Sequence, residues 1–128
     1  IMATNAGRFN NISVEAVSAV NQFEFVKMTS TGAAQAGDGE LAIGVALTTV
    51  DPSATPATTN LSVQIDGIAM VKAGEAVAKG AMVGADANGF ATDAFTTGDY
   101  QLGVALDAAS GANEIIRVLL KPVANQAA

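Results

Sequence analysis

Short apolar runs separated by turn residues set the rhythm of this chain. In Leu61-Ser62-Val63-Gln64-Ile65-Asp66 apolar and polar residues alternate strictly, as in a strand with one face buried. Asp66-Gly67 then turns the chain, and Ile68-Ala69-Met70-Val71 reads as the return strand of a hairpin. The same grammar recurs in Ala81-Met82-Val83-Gly84-Ala85-Asp86, the turn Asn88-Gly89, and the return Phe90-Ala91-Thr92-Asp93. Phe23-Glu24-Phe25-Val26-Lys27-Met28 places Phe23 and Phe25 on one face, and Leu41, Ile43, Val45 and Leu47 run in phase. Residues 100–106 and 114–120 supply the last two strands. Pro122 should end the pairing, because it has no N–H to donate. Turn signals spaced roughly 8 to 15 residues apart predict an all-β fold, a small barrel or a sandwich of short strands.

Two stretches fit less cleanly. Residues 12–22 read as a helix through Ile12, Ala16, Ala19, Val20 and Phe23, or as a strand through Ile12, Val14 and Ala16. Frequent β-branched residues and the lack of a good cap favour a strand over residues 12–17. Residues 51–60 form a Pro/Thr-rich surface loop, long for a hairpin. There is also an internal echo. Ile43-Gly44-Val45-Ala46-Leu47 returns as Leu102-Gly103-Val104-Ala105-Leu106, after Gly37-Asp38 in one copy and Gly98-Asp99 in the other. A polar loop and a β-rich strand follow each copy, so two related halves are expected. Gly44 and Gly103, inside strands, mark a bulge, a bend or the close approach of another backbone, with room for a ligand the weaker reading.

Composition removes most chemistry. The 128 residues include no Cys, no His and no Trp. Thiolate nucleophiles, Cys-ligated zinc and a histidine base are therefore excluded. Six Lys and Arg stand against twelve acids, a net charge of −6, which argues against nucleic acid as a partner. No run approaches the roughly 18 apolar residues of a membrane helix. The opening Ile1-Met2-Ala3-Thr4-Asn5 lacks the order of a signal peptide, and Met2 reads as the natural first residue. The carboxylates are scattered and mostly in turns, so no catalytic pair is expected. Asp38-Gly39-Glu40 and Asp86-Ala87-Asn88-Gly89 lack the ligand count of a calcium loop. No cofactor, metal or catalytic residue is assigned.

Residues 1–11 are poor in core residues and suit an extended arm before a single β domain over residues 12–128. Met2 and Phe9 are apolar anchors, and Arg8 is the first cation of the chain. The arm residues Met2, Ala3, Thr4, Asn5, Arg8 and Phe9 are the candidates for docking on a larger surface or a neighbouring subunit, by strand addition to a sheet edge.

Two resemblances follow from the motifs. Ala69-Met70-Val71-Lys72, followed by residues 74–80, resembles the hairpin of biotinyl and lipoyl carrier domains, with Lys72 in place of the modified lysine. Here Val71 separates Met70 from Lys72, and solvated turn lysines at Lys72 and Lys79 are the simpler reading. An adhesin-like β module is a further alternative, disfavoured by the absence of Trp and the single Tyr. A broader match runs over about residues 25–121. Ile-Gly-Val-Ala-Leu, Gly-Ile-Ala-Met-Val-Lys-Ala, Ala-Val-Ala-Lys-Gly-Ala-Met-Val-Gly-Ala-Asp-Ala-Asn-Gly, Leu-Gly-Val-Ala-Leu-Asp-Ala-Ala and Ile-Arg-Val-Leu-Leu occur in that order. This series resembles the capsid cement, or decoration, proteins of tailed bacteriophages. The resemblance implies a non-enzymatic structural protein made in the host bacterial cytoplasm. Such a protein binds the major capsid protein on the outer surface of the head, commonly as a homotrimer.

Overall fold

A computed structural model describes residues 11–126, with side chains through residue 120. The described residues form ten strands and no helix: β1 (Asn11–Glu15), β2 (Phe25–Met28), β3 (Ala33–Gln35), β4 (Gly44–Ala46), β5 (Asn60–Gln64), β6 (Ile68–Lys72), β7 (Met82–Ala85), β8 (Ala91–Thr92), β9 (Tyr100–Ala105) and β10 (Ile115–Gln126). They build two five-stranded antiparallel sheets, ordered β1-β5-β4-β2-β3 and β6-β10-β9-β7-β8. Neither closes on itself, so the all-β expectation resolves to a sandwich-like fold rather than a barrel.

The two halves repeat one another strand for strand. β1 to β5 supply one sheet, β6 to β10 the other, and the spatial order of the second copies the first. The copying extends to single residues. The isolated bridges Ala16–Ala33, parallel, and Val20–Val50, antiparallel, recur as Ala73–Ala91 and Val77–Ala109. Val45 pairs with Phe25 and Gln64 as Val104 pairs with Met82 and Leu119. The turn before the shared motif repeats too, in a corrected register. Glu40 accepts the N–H of Gly37 as Asp99 accepts that of Thr96. The counterpart of Gly98-Asp99 is therefore Gly39-Glu40, not Gly37-Asp38.

Other local expectations change as well. Asp66-Gly67 does turn, with Asp66 Oδ1 accepting the Gly67 N–H at 2.7 Å. It makes no hairpin: β5 pairs with β1 and β4, while β6 pairs with β10. A tight turn fixes chain reversal but not the pairing partner, and here it hands the chain from one repeat to the next. The Asn88-Gly89 hairpin forms as expected between β7 and β8. Residues 11–15 are strand, not helix. Pro122 does not end β10. The register shifts between Leu120 and Asn125, and pairing resumes with Asn125 opposite Gln101, an irregularity that accommodates a residue without an N–H.

Each repeat has its own core, assembled from matching positions. Val20, Val26, Ala33, Ala46, Leu61 and Val63 are buried in the first. Val77, Val83, Ala91, Ala105, Ile116 and Val118 occupy the corresponding places in the second. The second core is the larger, and Phe25, Ala36 and Val45 of the first repeat enter it as well. On β2 and β4, Val26 and Ala46 face their own core, while Phe25 and Val45 face the other way and are buried under the second repeat. The outer face of the first sheet thus packs on the inner side of the second. Short side chains throughout permit that close approach, which accounts for an apolar half of the sequence so poor in aromatics.

Candidate docking surfaces

The expected arm residues Met2, Ala3, Thr4, Asn5, Arg8 and Phe9 lie outside the described residues, and the chain enters the structure at Asn11, the first residue of β1. β1 is an edge strand of its sheet and β6 an edge strand of the other. An edge strand is the kind of element that accepts an added strand; on β6 the edge is already engaged at both ends, where the Lys72 N–H donates to Phe23 O and Ile68 O accepts from Gln64 Nε2.

The outer face of β6 and β10 is the main apolar surface. Ile68 stands opposite Leu119, Met70 opposite Arg117, and Lys72 opposite Ile115. Ile68, Met70, Ile115 and Leu119 are four of the eight large apolar side chains exposed among the described residues. Their in-between neighbours Ala69, Val71, Ile116 and Val118 are buried, so strict alternation forces these residues outward. The row continues from Leu119 to the half-buried Val104 and Met82.

Two cations punctuate this face. Lys72 Nζ lies 5.3 Å from the centroid of the Phe90 ring. It sits within a paired strand, and the next residue, Ala73, bridges to Ala91. It is therefore not presented at a hairpin tip, and the open sheets are not the barrel of a carrier domain. Arg117 Nε and Nη2 donate to Asp107 at 2.9 and 2.8 Å, and the Arg117 backbone N–H donates to the same carboxylate. These bonds, the guanidinium first, hold the Asp107 carboxyl down at about 2, below its ordinary 3.8. A depressed carboxylate stabilises the fold above its ordinary value and loses that contribution as pH falls through about 2. The pair is exposed, so the effect is small. Asp107→Asn should lower stability slightly at neutral pH and flatten the decline between about pH 4 and pH 2. Urea midpoints measured across that window check this, and an unchanged slope contradicts it.

The remaining candidates are structural. Asp86 Oδ1 accepts the N–H groups of Asn88 and Phe90 at 2.8 and 3.0 Å, closing the β7–β8 turn. Asp51 accepts the N–H and hydroxyl of Ser53, and Thr58 Oγ1 accepts the Asp51 N–H, so the Pro/Thr loop is organised from within. Gly44 and Gly103 make room for backbone: a Cβ there would meet the carbonyl oxygens of Gln64 and Leu119. Among the described residues no group of three or more acidic side chains could hold a metal ion.

The phage cement protein family model matches residues 5–120. The chain belongs to the phage cement protein family. That membership makes it a structural protein of a phage capsid. No curated protein sequence matches the chain. Among solved structures it is similar to the N base of head fiber gp8.5 in bacteriophage phi29, with a TM-score of 0.71 and 14% identity. The match covers 88% of this chain and 93% of that one, and at such identity it speaks for the fold. The cement family and the duplicated sandwich were approached in the sequence through the Gly-Val-Ala-Leu motifs. The outer face of β6 and β10 was missed, although the spacing of Ile68, Met70 and Lys72 already gave its period.

Proposed function

We propose that this cement protein binds the major capsid protein on the outer surface of the phage head and stabilises the shell. The observation that carries this reading is the family match across nearly the whole β region, residues 5–120. The chemistry supports it. A clamp across shell subunits needs paired backbone and adhesive surface but no reactive side chains, and small residues lose little rotamer entropy on docking. No reaction, cofactor, nucleic acid or membrane enters this function. Synthesis takes place in the host bacterial cytoplasm, with assembly on the head as a homotrimer. The test is to mix the protein with purified expanded heads that lack it. Electron microscopy should show added density on the outer surface, and decorated heads should survive heating that disrupts bare ones. Bare heads after mixing would sink the proposal.

Docking through the arm is part of the same reading. The arm is the expected segment 1–11 short of Asn11, which pairs with Gln64 in β1, and the rest of the chain to residue 128 is the β domain it serves. Phe9, buried against a partner, would contribute ~2 kcal/mol, while a rim ion pair from Arg8 adds about 0–1 kcal/mol. Deleting residues 2–10 should leave the melting temperature of the isolated protein nearly unchanged and weaken head binding by at least about tenfold. Undiminished decoration by the truncated protein would place docking elsewhere.

A further inference from the structure

We propose that the outer face of β6 and β10 seats on the first repeat of a second copy of this chain. This deepens the self-association proposed above and rests on it.

The argument comes from comparing equivalent positions. Within the chain, the outer face of the first sheet (Phe25, Val45) is buried on the inner side of the second repeat. The matching outer positions of the second sheet, Met82 and Val104, are only half-buried. Farther along the same face the repeats diverge in chemistry. The first carries Asn11, Ser13, Glu15, Asn60, Ser62 and Gln64 on β1 and β5. The second carries Ile68, Met70, Lys72, Ile115, Arg117 and Leu119 at the same places. An identical backbone is thus dressed for water in one repeat and for contact in the other.

The complementary surface is present too. In the second repeat Ala69 and Ala85 are 1% exposed, and Tyr100 is partly buried against the core that the first repeat covers. Their first-repeat counterparts are Ile12, Met28 and Leu41, which are 41%, 48% and 51% exposed, the first two in place of alanines. Seven of the eight exposed large apolar side chains among the described residues are then accounted for, four on one surface and three on the other. Charge agrees at the unpaired groups: Lys72 lies on the first surface beside Arg117, which is bonded to Asp107, while Asp38 and Glu40 precede Leu41 on the second, with Glu40 bonded to Lys27. An apolar patch of this kind is characteristic of an interface. Because the two surfaces differ, the contact is head-to-tail and propagates until a ring closes.

The test uses two variants of the full chain. One carries the first-repeat residues on the outer face, Ile68→Asn, Met70→Ser and Leu119→Gln. The other carries Met28→Gln and Leu41→Gln. All five positions are exposed, so melting temperatures close to that of the unaltered protein confirm folding. Sedimentation velocity at high micromolar concentration should show the unaltered protein associated. Each variant alone should associate at least about tenfold more weakly. An equimolar mixture should form a dimer containing one of each, since one intact contact remains. If the unaltered protein associates and the outer-face variant does so equally, the surface is misassigned although self-association stands. If that variant self-associates normally but no longer binds heads, the face belongs to the shell. A mixture that stays monomeric overturns the head-to-tail geometry. An unaltered protein that is monomeric in solution, and not cross-linked to its neighbours on heads, overturns both readings.

Discussion

Phe25→Ala is expected to cost about 3–5 kcal/mol, the usual range for emptying a fully buried aromatic site. For a domain with a total stability of roughly 5–15 kcal/mol, this removes a large share. Phe25 is 0% exposed and is the bulkiest of the fully buried side chains. It belongs to the first sheet yet packs in the second core, beside Leu102 and Leu120. The cavity it leaves lies at the junction of the repeats, where the Phe25 N–H donates to Gly89 O of the second repeat at 2.8 Å while Phe25 O accepts from Ala36 of the first. Those bonds hold the surrounding chain in place and limit collapse into the void. Met82→Ala supplies the control. Met82 is the equivalent residue of the second repeat but is half-buried, and its truncation should cost about 1 kcal/mol or less. Urea denaturation of both variants measures the difference. Equal costs would mean that Phe25 does not join the repeats.

The duplication was legible because it is written in residues with strong backbone demands. Gly44 and Gly103 recur within the same five-residue motif, and each sits where another strand's carbonyl crowds it. Strict alternation placed Leu61 and Val63 correctly in the core. What could not be read was partnership. Asp66-Gly67 announces a turn equally well for a hairpin or for a crossing between sheets, and only the two separate cores decide between them. Phe23 misled for a different reason. Its spacing from Phe25 suggests a shared strand face, but it adopts φ +76°, the left-handed region, where the second repeat has Gly80 at φ +86°. The Phe23 N–H donates to Ala46 O just as the Gly80 N–H donates to Ala105 O, so the register of the ladder imposes a conformation that a phenylalanine rarely takes. The exposed apolar face of β6 and β10 stayed hidden because exposure of an apolar strand face depends on whether a further layer covers it, and a sequence pattern does not report that.

Gly44→Ala should be among the most damaging single-atom additions to this protein, at about 3 kcal/mol, the upper part of the range for overpacking. An added Cβ would lie 2.0 Å from Gln64 O, 2.8 Å from Gln64 C and 3.0 Å from Val63 Cγ1. The nearest obstacle is backbone, which cannot rotate away as a side chain can. β5 would have to retreat from β4, and the pairs Val45–Gln64 and Ala46–Val63 would open with it. Gly103→Ala meets the equivalent carbonyl, Leu119 O, at 2.6 Å, together with Val118 Cγ1 at 2.6 Å. Part of that obstacle is a side chain, so a smaller loss of about 2 kcal/mol is expected. Gly80→Ala separates space from conformation. Nothing lies within 4 Å of its Cβ, but φ is +86°, which costs an L-residue about 1–2 kcal/mol. Chemical denaturation of the three variants should therefore rank Gly44→Ala above Gly103→Ala, and Gly80→Ala no higher than Gly103→Ala. If Gly80→Ala proved the worst, backbone conformation rather than close strand approach would be what the repeated glycines protect. Gly103→Ala has a second consequence: it pushes on Leu119, in the middle of the exposed outer face. A variant that still folds should therefore self-associate more weakly, whereas Gly44→Ala, acting beneath the polar Gln64, should alter stability without that additional loss.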